Sequence, residues 1–134
     1  MDKFLKKYSG HLFEDEHSVC SRDFKRFAAG FKEYLKRNLP SSFSIKEHSC
    51  GHYDLSGFVE AGGKYVYYSW SWDRFSPLDV KECCDCRRGL LYRTAMNAAD
   101  YTGGYNNFCS LEEAPEKIGR LIVSQILDAA KKDE

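Results

Sequence analysis

Residues Tyr53 to Trp72 read YDLSGFVEAGGKYVYYSWSW, and the adjacent glycines Gly62 and Gly63 decide how they fold. A tight two-residue turn needs positive φ at both central positions, which glycine adopts without steric cost. Tyr53–Glu60 and Lys64–Trp72 then pair as an antiparallel hairpin. Pairing about that turn sets Val59 opposite Val66, Gly57 opposite Tyr68, Leu55 opposite Trp70 and Tyr53 opposite Trp72. The other face pairs Phe58 with Tyr67 and Ser56 with Ser69. One face is almost wholly apolar, and a slip of one residue would exchange the two faces.

Outward from the hairpin, the pattern changes period. Phe24, Phe27, Ala28, Phe31, Tyr34 and Leu35 recur every three or four residues, the stripe of an amphipathic helix. Ser21 suits its N-cap, and Asn38 with Pro40 ends it. Phe43–Cys50 alternates enough for a strand, and Leu90–Ala95 is a short apolar fourth strand. Between them lies a charged, cysteine-rich loop over residues 73–89. Tyr101–Cys109 reads as a long loop. Ser110 with Glu113 resembles a capping box, Pro115 suits a first helical turn, and Ile118, Leu121, Ile122, Gln125, Ile126 and Ala129 line one face of a C-terminal helix. Residues 1–20 form a peripheral segment in which Phe4 and Tyr8 could dock a short helix. The expected fold is one α+β domain over residues 1–134, an antiparallel sheet of three to four strands packed on one face by an N-terminal and a C-terminal helix.

Composition narrows the function classes. The chain has 134 residues, 43% of them hydrophobic, with nine Phe, nine Tyr and two Trp to fill a core. Lys plus Arg equals Asp plus Glu, 20 against 20, so no global field draws the protein to nucleic acid or anionic lipid. The first residues carry charges with no apolar run behind them, and no stretch reaches the length of a membrane span, so a cytoplasmic protein with no membrane partner is expected. The six cysteines are then thiols or metal ligands before they are disulfides.

Four groups of residues could carry chemistry. Cys83, Cys84 and Cys86 are soft ligands for zinc, but a tetrahedral site would need help from Cys50, His52 or Cys109, and a loop of free thiols is the simpler reading. His52 and Asp54 share one strand face and could do acid–base work, although a surface hydrogen bond is the commoner outcome. The segment YRTAMNAADYTGGYNNFC, Tyr92 to Cys109, gathers Arg93, Asp100, Tyr101, Tyr105, Asn106 and Asn107. Its Asp100–Gly104 turn could cradle an anion, or it could be a structural loop tied down by its asparagines. Finally, Tyr65 and Tyr67 with Phe58, Ser69 and Ser71 form an outer sheet face that suits a protein partner or cover by the N-terminal segment better than stacked bases. The first helix has a locally basic outer face in Arg22, Lys25, Arg26, Lys32, Lys36 and Arg37, set against Asp23 and Glu33.

HYDLSGFVEAGGKYVYYS (His52–Ser69) and LYRTAMNAADYTGGYNNF (Leu91–Phe108) together resemble small uncharacterised proteins carried on plasmids, integrative elements and phages of gut Firmicutes. That resemblance carries no catalytic residues or cofactor. It implies an accessory protein of a mobile element in a bacterial cytoplasm, inhibition of a host defence nuclease being one role in that setting. The functional expectation is a non-enzymatic module that binds a protein through Arg93, Asp100, Tyr101, Tyr105, Asn106, Asn107, Tyr65 and Tyr67. The alternatives are a nucleic-acid-binding accessory protein using the basic helix, and a small metal-dependent or acid–base enzyme.

Overall fold

In a computed structural model, which describes residues 3–7, 22–50, 55–70 and 90–132, the chain reverses at the paired glycines. Gly62 and Gly63 have φ of 59° and 79°. They join β2 (Leu55–Ala61) to β3 (Lys64–Trp70). The register is the one that the hydrophobic pattern demands: Leu55 faces Trp70, Gly57 faces Tyr68, Phe58 faces Tyr67 and Val59 faces Val66. The Tyr53–Trp72 pair lies outside the described residues.

Among the described residues the sheet has five strands rather than three or four. In the order β1-β2-β3-β4-β5 they include β1 (Ser44–Ser49), β4 (Leu90–Ala95) and β5 (Asn107–Cys109), all antiparallel to their neighbours. The fifth falls within Tyr101–Cys109, the segment expected to be a loop. Three residues are too few to show a period of two, and β5 exists because Leu90 and Leu91 offer a ladder to Cys109 and Phe108.

Strand β1 departs from strict alternation. Lys46 pairs with Phe58 but Ser49 pairs with Ser56, so one extra residue is accommodated between them. Glu47 takes it up with φ of 54° and stays exposed. The bulge turns His48 toward the α2 backbone and sets Cys50 against the main core, where simple alternation would have aimed Glu47 inward.

Helix α2 (Arg22–Asn38) buries all six of the stripe residues Phe24, Phe27, Ala28, Phe31, Tyr34 and Leu35. The expected N-cap, Ser21, lies outside the described residues. A short α1 (Lys3–Lys7) inserts Phe4 against Phe27 and Tyr34, with ring centroids 5.7 and 5.3 Å apart. Helix α3 (Ala114–Lys132) begins after a true capping box: Ser110 N–H donates to Glu113 Oε1 at 3.2 Å, and Glu113 N–H donates back to Ser110 Oγ at 3.2 Å. Tyr34 ties α2 to the turn that leads into α3 by donating to the Glu112 carbonyl at 2.8 Å.

Phe27, Phe31, Leu35, Ile118 and Ile122 share one core cluster with Leu55, Val59, Val66, Tyr68 and Trp70. The alternate sheet residues are not bare. Phe58, Tyr67, Leu91 and Ala95 form a second buried cluster, flanked by Tyr65, Ala98, Tyr101 and Phe108. The chain between β4 and β5 covers the residues that the hairpin turns the other way. Large aromatic rings left in water there would forfeit about 25 cal/mol per Å² of burial, and a local segment supplies the cover.

Candidate functional site

The β4–β5 connection is held by its own polar side chains. Asn97 starts a turn: its Oδ1 accepts from Ala99 N–H at 2.8 Å and its carbonyl from Asp100 N–H at 3.3 Å. Asp100 then acts as the hub. Oδ2 accepts from Met96 N–H at 2.9 Å, while Oδ1 accepts from Thr102 N–H at 3.2 Å and Gly103 N–H at 2.9 Å. The Met96 and Thr102 amides, helped by Gly103 and the Arg93 charge, hold this carboxyl below its ordinary pKa. The amide cradle that an external anion could have occupied thus holds the carboxylate of Asp100.

Arg93 straps the loop to the sheet. One guanidinium nitrogen donates to Asn106 Oδ1 at 2.9 Å and the other to the Tyr101 carbonyl, while Cζ sits 4.7 Å from the centre of the Tyr67 ring. Asn107 Nδ2 donates to the carbonyls of Tyr105 at 3.0 Å and Tyr92 at 3.3 Å. Gly104, with φ of 76°, lies so close to β4 that a Cβ would approach the Thr94 carbonyl to 2.7 Å. The Tyr101 ring closes over Phe58 and Tyr67 edge-on, with centroids 5.3 and 5.6 Å away.

Arg93, Asp100, Tyr101, Asn106 and Asn107 therefore come together as one hydrogen-bonded frame with Tyr67 fully buried at its base. Tyr65 is half-buried on β3, and its carbonyl accepts from Gln125 Nε2 at 3.1 Å. Tyr105 differs from all of these. It is 91% exposed, and Met96, at the other end of the loop, is 85% exposed. Met96 was not singled out by its sequence context, because a lone methionine in a polar segment has no periodicity to betray its position.

Cys83, Cys84, Cys86, His52 and Asp54 lie outside the described residues. Cys50 is half-buried beside the main core, and Cys109 is buried, its thiol pushed up to about 12 chiefly by burial. Among the described residues no group of three or more His, Cys, Asp and Glu side chains could hold a metal ion. Lys25, Arg26, Lys36 and Arg37 are exposed along α2.

His48 is the polar residue that sequence reasoning passed over. Its Nε2 lies 2.8 Å from the Ala28 carbonyl and its Nδ1 lies 2.6 Å from the Tyr68 hydroxyl. A carbonyl only accepts, so Nε2 carries the proton and Nδ1 accepts from tyrosine. This neutral tautomer, bonded on both sides, is a joint between α2 and the sheet.

No family model, curated protein or solved structure matches the chain. No helix among the described residues is long and apolar enough to cross a membrane.

Proposed function

We propose that this chain is a non-enzymatic protein-binding module whose contact surface is the β4–β5 loop, with Tyr105 and Met96 as its anchors. The observation that carries this reading is the contrast within the loop: two large apolar side chains stand in solvent on a backbone pinned by Asp100, Arg93 and Asn107. A preordered loop loses little conformational freedom on binding, tyrosine is a preferred hot-spot residue, and methionine adapts to irregular surfaces. The role is occupancy of a partner's surface rather than chemistry. In the setting implied by the resemblance, the chain works in a bacterial cytoplasm as an accessory protein of a mobile element, and a host defence nuclease is the class of partner to try first.

The test uses the full chain immobilised against a panel of purified nucleases and element-encoded proteins. Wild type is expected to retain a partner that Tyr105→Ala and Met96→Ala lose, with the Tm of both variants unchanged. Equal retention by the double variant would overturn the assignment. Affinity that survives both substitutions but falls steeply with salt would move the function to the Lys25, Arg26, Lys36 and Arg37 face of α2.

A further inference from the structure

The other exposed large apolar side chains among the described residues are Val123 and Leu127, 45% and 56% accessible. They lie one turn apart on α3, in a groove of about 610 Å³ whose far wall is Leu39, Pro40 and Phe43. Along the same wall of α3 run Glu116, Arg120, Asp128 and Lys131. Their spacing of three, four and eight residues keeps them on one stripe of the helix.

At the groove also stands Gly119. Only proline is a worse helix former, so a glycine inside a helix of this length calls for a reason. The chain's own packing supplies none. A Cβ at this position would meet Leu39 Cδ2 at 3.6 Å, an ordinary van der Waals contact. What the missing methyl does is deepen the groove beside Val123.

We infer that this stripe of α3 is a homodimer interface, occupied by α3 of a second copy running antiparallel about a twofold axis beside Ser124. The charge order selects both the partner and its direction. Arg120 and Asp128 stand equally far from Ser124 on opposite sides, so an antiparallel copy sets each against the other. Glu116, eight residues before Ser124, comes within one residue of the level of Lys131, seven after it, close enough for two long side chains to meet. A parallel copy would set Glu116 against Glu116 and Arg120 against Arg120, which like charges oppose. In the antiparallel arrangement Leu127 of each copy descends between Gly119 and Val123 of the other, where a side chain at position 119 would obstruct it. Every contact occurs twice, as in any isologous interface. In the single chain Arg120 pairs with Glu116 at 2.8 Å, both well exposed; such a pair contributes little by itself and exchanges readily for the intermolecular pairs.

Sedimentation equilibrium of the full chain over a range of concentrations tests the assignment. A reversible monomer–dimer equilibrium is expected, weakened at least about tenfold by Leu127→Asp and by either Arg120→Asp or Asp128→Arg. An equimolar mixture of the Arg120→Asp and Asp128→Arg chains recovers the dimer, because both crossed pairs then have opposite signs; misfolding of either variant could not produce that recovery. Gly119→Ala gives a separate signature, a higher Tm in dilute monomeric solution together with weaker dimerisation. A chain that stays monomeric up to about 1 mM overturns the proposal. So does a dimer indifferent to Leu127→Asp and to the charge exchanges, since it would be built on another surface.

Discussion

The Tyr68 hydroxyl, on β3, reaches His48 Nδ1, on β1, at 2.6 Å by passing over the strand between them. The crossing runs over Gly57, opposite Tyr68 in the hairpin. A Cβ at position 57 would lie 2.7 Å from Tyr68 Cζ and 3.1 Å from the His48 Cα, so only a glycine leaves the path open. The bulge at Glu47 completes the arrangement by turning His48 inward to meet the ring.

Gly57→Ala is therefore expected to destabilise the fold by about 1–3 kcal/mol, the usual cost of forcing extra volume into a packed core. Tyr68→Phe keeps the ring and removes only the donor to His48, at about 1 kcal/mol. Urea unfolding of both variants checks the order. A Gly57→Ala chain as stable as wild type would mean that the tyrosine has another route.

Stability should also depend on pH through His48. Burial lowers its pKa below 6.5; the Ala28 carbonyl opposes that shift and the Lys32 charge adds to it. The unfolded chain then binds the proton more readily than the folded one. The contribution of neutral His48 is complete above the unfolded value and is lost as pH falls from about 6.5 through the depressed folded value. A His48→Gln chain is less stable at neutral pH but should show a flatter profile between about pH 6.5 and 5, above the range in which Asp100 and Glu113 titrate. Identical slopes for the two chains would remove His48 as the cause.

Two tyrosines of one loop should behave oppositely. Tyr101 caps Phe58 and Tyr67, so alanine there is expected to cost about 2 kcal/mol, less than the loss of a fully buried ring. Tyr105 touches solvent, and alanine there should change stability by no more than about 0.5 kcal/mol. Thermal melts of the single variants separate a residue that holds the loop from one that the loop presents.

Asp100→Ala strips an acceptor from three backbone amides and should cost about 1 kcal/mol, most of it local. Amide exchange gives the sharper reading: Met96, Thr102 and Gly103 should lose protection while the β2–β3 ladder keeps it. Because the folded carboxyl has its pKa lowered, the same contribution in wild type is present above about pH 4 and disappears as pH falls further, the Asp range.

Much of the frame was legible in the residues alone. The Gly62-Gly63 turn determines the β2–β3 register because a period-two pattern has only one alignment that gathers its apolar residues. The Phe24–Leu35 stripe determines α2, and Ser110 with Glu113 determines where α3 begins. Each of these is a local relation, settled by residues that are neighbours in the chain or mirrored about one turn. For the loop, the same kind of reading gathers Arg93, Asp100, Tyr101, Tyr105, Asn106 and Asn107 into one place, yet it does not distinguish frame from anchor.

Tertiary structure alone decided the rest. It placed β5 beside β4, folded Tyr101 over Phe58 and Tyr67, filled the amide cradle with Asp100 and brought His48 to Tyr68 through the space above Gly57. No periodicity announces such contacts, because they join side chains far apart in the chain. Their energy comes from burial and hydrogen bonding that exist only once the strands have been laid next to one another.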